Sequence, residues 1–182
     1  GESGKLAKTT DGGSTWSSLG TYNQDIMAIS FPTDNLIGYV ATKYERIYKT
    51  TDGGTNWELK HDGNSPASYM YDILFPFDSQ TGYALSSTGG ANNSKILKTT
   101  DGGNSWTITD AGTTSNLYCI SFPTPQVGYI SADGAYGNNP SRFLKTTDGG
   151  LTWNIVGVPY GYSLTSGCFP NGADTGYVVG NL

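Results

Sequence analysis

The sequence predicts an all-β protein: a β-propeller of four-stranded antiparallel blades, about four to the chain. Three observations carry that prediction. The pattern K-T-T-D-G-G-x-x-W occurs four times, at Lys8 to Trp16, Lys49 to Trp57, Lys98 to Trp106 and Lys145 to Trp153, and these copies hold all four tryptophans. A second pattern interleaves with it: Phe31-Pro32 before Gly38-Tyr39, Phe75-Pro76 before Gly82-Tyr83, Phe122-Pro123 before Gly128-Tyr129, and Phe169-Pro170 before Gly176-Tyr177. No window repeats its apolar residues at helical spacing over three turns. Self-similarity at a period of about 45 residues marks a repeat architecture, and short strands at that period mark propeller blades.

The unit beginning at Tyr69 shows how each strand arises. Tyr69 to Phe75 is β-branched and aromatic and reads as the first strand, A. Pro76 cannot donate to a ladder and ends it. Gly82 to Ser86 reads as strand B, Ser94 to Thr100 as strand C and Trp106 to Thr109 as strand D. Between C and D, Asp101-Gly102-Gly103 supplies the positive φ of a tight hairpin turn. Each tryptophan is expected to pack between blades, because one small sheet cannot bury its own faces.

Applied along the chain, this reading places blades at 21–62, 63–111 and 112–159, within a single domain covering 1–182. The remaining strands fall at the two ends. Residues 160–182 supply A and B, and residues 1–20 supply C and D. Joined, they read G-Y-V-V-G-N-L-G-E-S-G-K-L-A-K-T-T-D-G-G, the pattern of Gly82 to Gly103. The expectation is one composite blade that closes the ring and hides its edges. Two chains forming an eight-bladed ring, or a longer propeller, are the alternatives. The start Gly1-Glu2-Ser3 reads as a mature form or an excised piece.

Composition narrows the partners. Charged residues make up 14% of the chain, with a net charge of −5 and a pI near 4.6. With no basic stripe, nucleic acid is not an expected partner. No apolar run approaches the roughly 18 residues of a membrane helix, so no membrane span is expected. Cys119 and Cys168 have neither zinc-site nor redox spacing, and they fall in adjacent A strands two positions out of register. The Thr-, Asn-, Gly- and Tyr-rich surface predicts an extracellular or periplasmic protein, and Asn92-Asn93-Ser94 is a glycosylation sequon.

The repeated T-T-D-G-G-x-x-W resembles the Asp-box (BNR) repeat of sialidase-like propellers. With the interleaved F-P and G-Y elements, the chain is most similar to bacterial propellers of the photosystem II assembly-factor type. The resemblance covers essentially the whole chain and implies the fold. It leaves function open, because that superfamily includes sialidases, other glycosidases, sorting receptors, assembly factors and adhesion proteins. It also implies structural roles for Asp11, Trp16, Asp52, Trp57, Asp101, Trp106, Asp148 and Trp153. Sialidases of the family clamp their substrate carboxylate with three arginines. This chain has only Arg46 and Arg142, too few for such a clamp.

The residues themselves favour a non-enzymatic module without cofactor or metal. Each box aspartate stands alone before two glycines, where Ca²⁺ would need six to eight oxygens. Its expected task is to accept hydrogen bonds from turn N–H groups. A glycosidase needs two carboxyl groups about 5–9.5 Å apart, and the candidates outside the boxes are Asp25, Glu45, Asp62, Asp72, Asp110 and Asp133. Asp72 is equivalent to Ala28, Cys119 and Ser166, on the strand expected to line the central channel. His61 is expected in a solvated linker.

Recognition is expected on the face made by the D–A and B–C loops, which vary in length, whereas the A–B and C–D loops repeat. That variable face carries Tyr22, Tyr44, Arg46, Tyr69, Tyr136, Arg142, Tyr160 and Tyr162. Tyr with Asn, Gly and Ser gives rigid amphipathic area with adaptable hydrogen bonding, suited to a glycan or protein partner. The alternatives are a structural, self-associating module of a larger extracellular assembly and a fragment of an Asp-box glycoside hydrolase.

Overall fold

The computed structural model describes residues 2–21, 23–88, 94–134, 141–157, 163–170 and 172–181. Apart from one 3-10 turn at Glu2–Gly4, its regular structure is all strand: β1 (Lys5–Lys8), β2 (Ser17–Thr21), β3 (Ile26–Ser30), β4 (Gly38–Thr42), β5 (Arg46–Thr50), β6 (Glu58–Asp62), β7 (Tyr69–Leu74), β8 (Gly82–Ser87), β9 (Lys95–Thr99), β10 (Thr107–Asp110), β11 (Leu117–Ser121), β12 (Gly128–Gly134), β13 (Ser141–Thr146), β14 (Asn154–Gly157), β15 (Ser163–Cys168) and β16 (Tyr177–Asn181). Strands β3–β6, β7–β10 and β11–β14 form three four-stranded antiparallel blades, each in the order A-B-C-D. Successive A strands lie against one another, β3 on β7, β7 on β11 and β11 on β15, so A is the inner strand.

The F-P and G-Y motifs explain one another. The ring of Phe75 occupies the place a Cβ on Gly82 would take, and Phe31, Phe122 and Phe169 do the same at Gly38, Gly128 and Gly176. The tyrosine beside each glycine then reaches into the next blade. Tyr39 stacks on Phe75, Tyr83 on Phe122 and Tyr129 on Phe169, with centroids 3.7, 4.1 and 3.7 Å apart. The phenols donate onward to backbone carbonyls: Tyr39 Oη to Gly102 O at 3.1 Å, and Tyr83 Oη to Gly149 O at 2.8 Å. A lysine opposite each tyrosine covers its ring, with Lys49, Lys98 and Lys145 at 5.5, 5.8 and 5.5 Å. Trp57, Trp106 and Trp153 meet Phe31, Phe75 and Phe122 edge-on at 85°. This four-residue packing unit is the blade interface, and the buried clusters around Tyr39 and Tyr83 are built on it.

The D-G-G element is a longer loop than the tight hairpin expected, running from the end of β9 at Thr99 to the start of β10 at Thr107. Both glycines take positive φ, +69° at Gly102 and +79° at Gly103, where a side chain is strained. The aspartate ties the loop. Asp101 Oδ1 accepts Thr99 Oγ1 at 2.8 Å and the Ser105 N–H at 2.9 Å, while Oδ2 accepts Ser105 Oγ at 2.7 Å. Asp11, Asp52 and Asp148 make the same bonds with Thr9 and Thr15, Thr50 and Asn56, and Thr146 and Thr152.

Two expectations are corrected at the ends of the array. The composite blade from 1–20 and 160–182 does not form within the chain: β1–β2 and β15–β16 are separate two-stranded sheets, not hydrogen-bonded to each other. Each of β1 and β16 is left at the edge of its own two-stranded sheet. Trp16, expected between blades, is therefore 65% exposed, whereas the other three tryptophans are half-buried.

Candidate functional site

Each A strand carries a register shift near its start, one residue being skipped in the pairing with strand B. The skipped residues are Met27, Tyr71, Tyr118 and Thr165. A bulge re-aims the side chain it carries, and here it does so at the same place in every blade, on the D–A/B–C face beside the inner strands. In the second and third blades those residues are tyrosines. Tyr71 meets Tyr118 edge-on with centroids 5.2 Å apart, and Tyr69 lies 6.4 Å from Tyr71. Three half-buried phenol rings thus form a row crossing two blades.

Polar groups rim the row. At one end Asp133 Oδ2 accepts Tyr118 Oη at 3.0 Å and Asn116 Nδ2 at 2.8 Å. Burial, then the Asp133 carboxylate, pushes the Tyr118 phenol up to about 12. At the other end the Lys43 ammonium stands 5.1 Å from the Tyr69 centroid and 5.9 Å from that of Tyr44.

A buried ion pair fixes the loop that presents Lys43. Tyr44 and Glu45 both take positive φ, +67° and +60°, which is uncommon for residues with side chains. Two backbone bonds hold them, Tyr44 N–H to Ser68 O and Gly63 N–H to Glu45 O, both 2.9 Å. The Glu45 carboxylate is fully buried and accepts Lys95 Nζ on both oxygens, at 2.9 and 3.0 Å. Burial works against its ionisation, but His61 and the Lys95 ammonium overcome that and hold it at about 2. His61 is in β6, not a solvated linker, with Nε2 3.9 Å from Glu45 Oε1. Glu45 belongs to the first blade and Lys95 to the second, so the pair also locks the two together.

The structure divides the residues anticipated for this face. Tyr44 and Tyr69 belong to the row and its edge. Arg46 pairs with Asp62 at 2.8 Å, and Arg142 donates to Thr113 Oγ1 at 2.7 Å. Tyr22, Tyr136, Tyr160 and Tyr162 lie outside the described residues, as do Asn92 and Asn138. Tyr71, Tyr118, Asp133, Asn116 and Lys43 were not anticipated as a group. The place of Tyr71 and Tyr118, each four residues before an F-P phenylalanine, was the available signal.

The six candidate carboxylates outside the boxes have different partners. Asp72 accepts the N–H of Ile73 at 2.9 Å and, across the blade boundary, that of Ile120 at 3.0 Å. Burial pushes its pKa up, the backbone bonds opposing. Its place beside Ala28, Cys119 and Ser166 agrees with the pairing register. Asp25 faces Lys43 at 3.6 Å, and Asp110 accepts the Gly112 N–H at 2.9 Å. Cys119 and Cys168 are free thiols. No helix among the described residues is long and apolar enough to cross a membrane.

Inner strands in contact, ring stacks between successive blades and aspartate-tied C–D loops define the chain as a β-propeller. Solved structures share this architecture. A GH74 enzyme from Niastella koreensis superposes with a TM-score of 0.66 at 19% identity, over 82% of this chain and 26% of that one. A GH74 xyloglucanase from Xanthomonas campestris gives 0.65 at 15% identity, over 85% and 27%. YCF48 from Cyanidioschyzon merolae gives 0.49 at 16% identity, over 97% and 71%. The chain thus spans about a quarter of the length of the GH74 enzymes it matches. No family model matches the chain, and no curated protein does.

Proposed function

We propose that the chain is a non-enzymatic binding module, extracellular or periplasmic, that holds an extended glycan along the row Tyr69–Tyr71–Tyr118. The observation that carries this reading is the continuity of the row across two blades with hydrogen-bonding groups at its rim. Sugar rings present apolar C–H faces to aromatic rings and hydroxyls to groups such as Asp133 and Asn116. Large rigid aromatics give contact area at low entropic cost. The different partners of the carboxylates outside the boxes support binding over hydrolysis.

The test is a glycan array, followed by titration calorimetry with the best polysaccharide. Tyr71→Ala is expected to weaken binding at least tenfold while leaving the melting temperature within a few degrees. Tyr118→Phe, which keeps the ring but drops its bond to Asp133, should weaken binding less. A well-folded protein with a blank array, yet retained by an extended peptide, would replace the glycan with a protein partner. Turnover of an aryl glycoside would overturn the non-enzymatic reading.

A further inference from the structure

One position near the end of strand B changes its charge across three successive blades. It holds Lys43 in the first blade, Ser87 in the second and Asp133 in the third, each four residues after the stacking tyrosine, Tyr39, Tyr83 or Tyr129. Backbone pairing makes the three equivalent. The Lys43 N–H donates to Asp25 O at 3.0 Å, the Asp133 N–H donates to Asn116 O at 2.9 Å, and Ser87 pairs with Tyr69. Asp25, Tyr69 and Asn116 in turn stand immediately before Ile26, Met70 and Leu117, the first buried residue of each strand A.

These side chains set the electrostatics of the tyrosine row. Lys43 is bridged to Tyr69 through the backbone and carries its ammonium 5.1 Å from that ring's centroid. Ser87 is fully buried, accepts the Leu117 N–H at 3.1 Å and brings no charge. Asp133 accepts Tyr118 Oη and Asn116 Nδ2 on one oxygen. The row therefore runs from a cation in the first blade to an anion in the third.

Neither end charge is cancelled where it stands. Asp25 Oδ2 lies 3.6 Å from the Lys43 ammonium, whereas Lys60 and Lys95 meet their carboxylates at 2.8 and 2.9 Å. Charge-assisted N–H···O bonds are about 2.7–2.9 Å long, so the Lys43 pair is a loose one. Asp25 Oδ1 is turned instead to the Ser3 N–H at 2.8 Å. The Lys43 side chain keeps 28% exposure. The donors that Asp133 finds among the described residues are an uncharged phenol and an uncharged amide.

We propose that the row binds its glycan in one direction, with an acidic sugar such as a uronate at the Lys43 end and uncharged sugars over Tyr71 and Tyr118. A carboxylate beside Lys43 gains attraction, and the same group beside Asp133 is repelled. Lys43 and Asp133 are thus the residues that select the charge and set the orientation of the ligand. This inference rests on the row being a glycan site.

The test is titration calorimetry with β-1,4-linked hexasaccharides of glucose, mannose and galactose. Each is used unmodified, with one carboxylate at the reducing end as an aldonate, and with one at the non-reducing end as a uronate. One acidic form is expected to bind about three- to fivefold more tightly than the neutral sugar, the scale of an exposed ion pair, and the other more weakly. The gap should close as ionic strength rises from about 0.01 M to about 1 M, where the screening length falls from about 30 Å to about 3 Å. Lys43→Gln should abolish the gain and leave the neutral sugar's affinity unchanged. Asp133→Asn, which keeps an acceptor for Tyr118, should remove the penalty on the other form. Acidic forms that bind like the neutral sugar, or that gain equally at either end, would overturn the inference and leave the glycan reading standing. A folded protein that binds no hexasaccharide would remove the glycan reading itself, and this inference with it.

Discussion

Tyr39 lies flat on Phe75, ring centroids 3.7 Å apart and planes 13° from parallel, and its single hydroxyl hydrogen is shared between Ser79 O and Gly102 O beyond that ring. One side chain thus spans a blade boundary, filling its apolar core and tying the loops at the far side. Tyr39→Phe removes only the polar part and is expected to cost about 1 kcal/mol. Tyr39→Ala also leaves a cavity, with an expected loss of about 3–5 kcal/mol. Chemical denaturation of the two variants measures the difference.

The four tryptophans should not behave alike. Trp106→Ala empties a packed boundary and should cost about 3–5 kcal/mol. Trp16, exposed at 65%, should change stability by only about 0.5 kcal/mol. Thermal melts of both variants check this.

Gly82 has the ring of Phe75 where its Cβ would stand. Gly82→Ala must displace that ring from its stack with Tyr39, and overpacking of this kind costs about 1–3 kcal/mol. The double variant Gly82→Ala, Phe75→Leu should recover part of the loss, measured as a shift in denaturation midpoint.

The box aspartates make stability depend on pH in a definite direction. Hydrogen bonds hold Asp11, Asp52 and Asp101 at about 2: for Asp11 and Asp101 the foremost donors are the hydroxyls of Thr15 and Ser105, for Asp52 the backbone N–H of Asn56. Hydrogen bonds, led by the Thr152 hydroxyl, also lower Asp148. A carboxylate depressed in the folded state contributes stability fully above its unfolded value of about 4, and that stability disappears as pH falls toward 2. Asp72, raised by burial, has the opposite sign: its contribution is present at low pH and is lost as pH rises through its folded value. Melting temperatures between pH 2 and 6 should fall steeply on the acid side, and Asp101→Asn should flatten that slope.

Removing Lys95 would strand the buried Glu45 carboxylate. Lys95→Met is expected to cost about 3 kcal/mol, the low end for a broken buried pair, because the Lys95 side chain keeps 30% exposure. Since Glu45 is held at about 2 in the intact protein, this loss should shrink as acid neutralises the stranded group. Lys95→Met with Glu45→Gln should be more stable at neutral pH than Lys95→Met alone. Urea titrations at pH 3 and pH 7 distinguish these outcomes.

Much of the fold was legible in the sequence because it is repeated four times in short-range form. Phe-Pro ends a strand by removing a donor, and Asp-Gly-Gly supplies positive φ. Both are local rules, and they placed the strands of the second blade to within about one residue. The site was less legible because it depends on the bulges. Tyr71 and Tyr118 become neighbours only when each inner strand skips a residue and two blades are set side by side. His61 and Glu45 look like solvated loop residues until Lys95, fifty positions from Glu45, arrives from the next blade.

The sequence by itself therefore determined the blade, its strands and the turns between them, since each rests on contacts within one unit or its regular repetition. Only the tertiary structure decided which tyrosines form a row, which carboxylate is buried, and that β16 and β1 do not meet within one chain. Those outcomes depend on contacts between residues of different blades, Tyr71 with Tyr118 and Glu45 with Lys95 among them, which no local pattern of residues encodes.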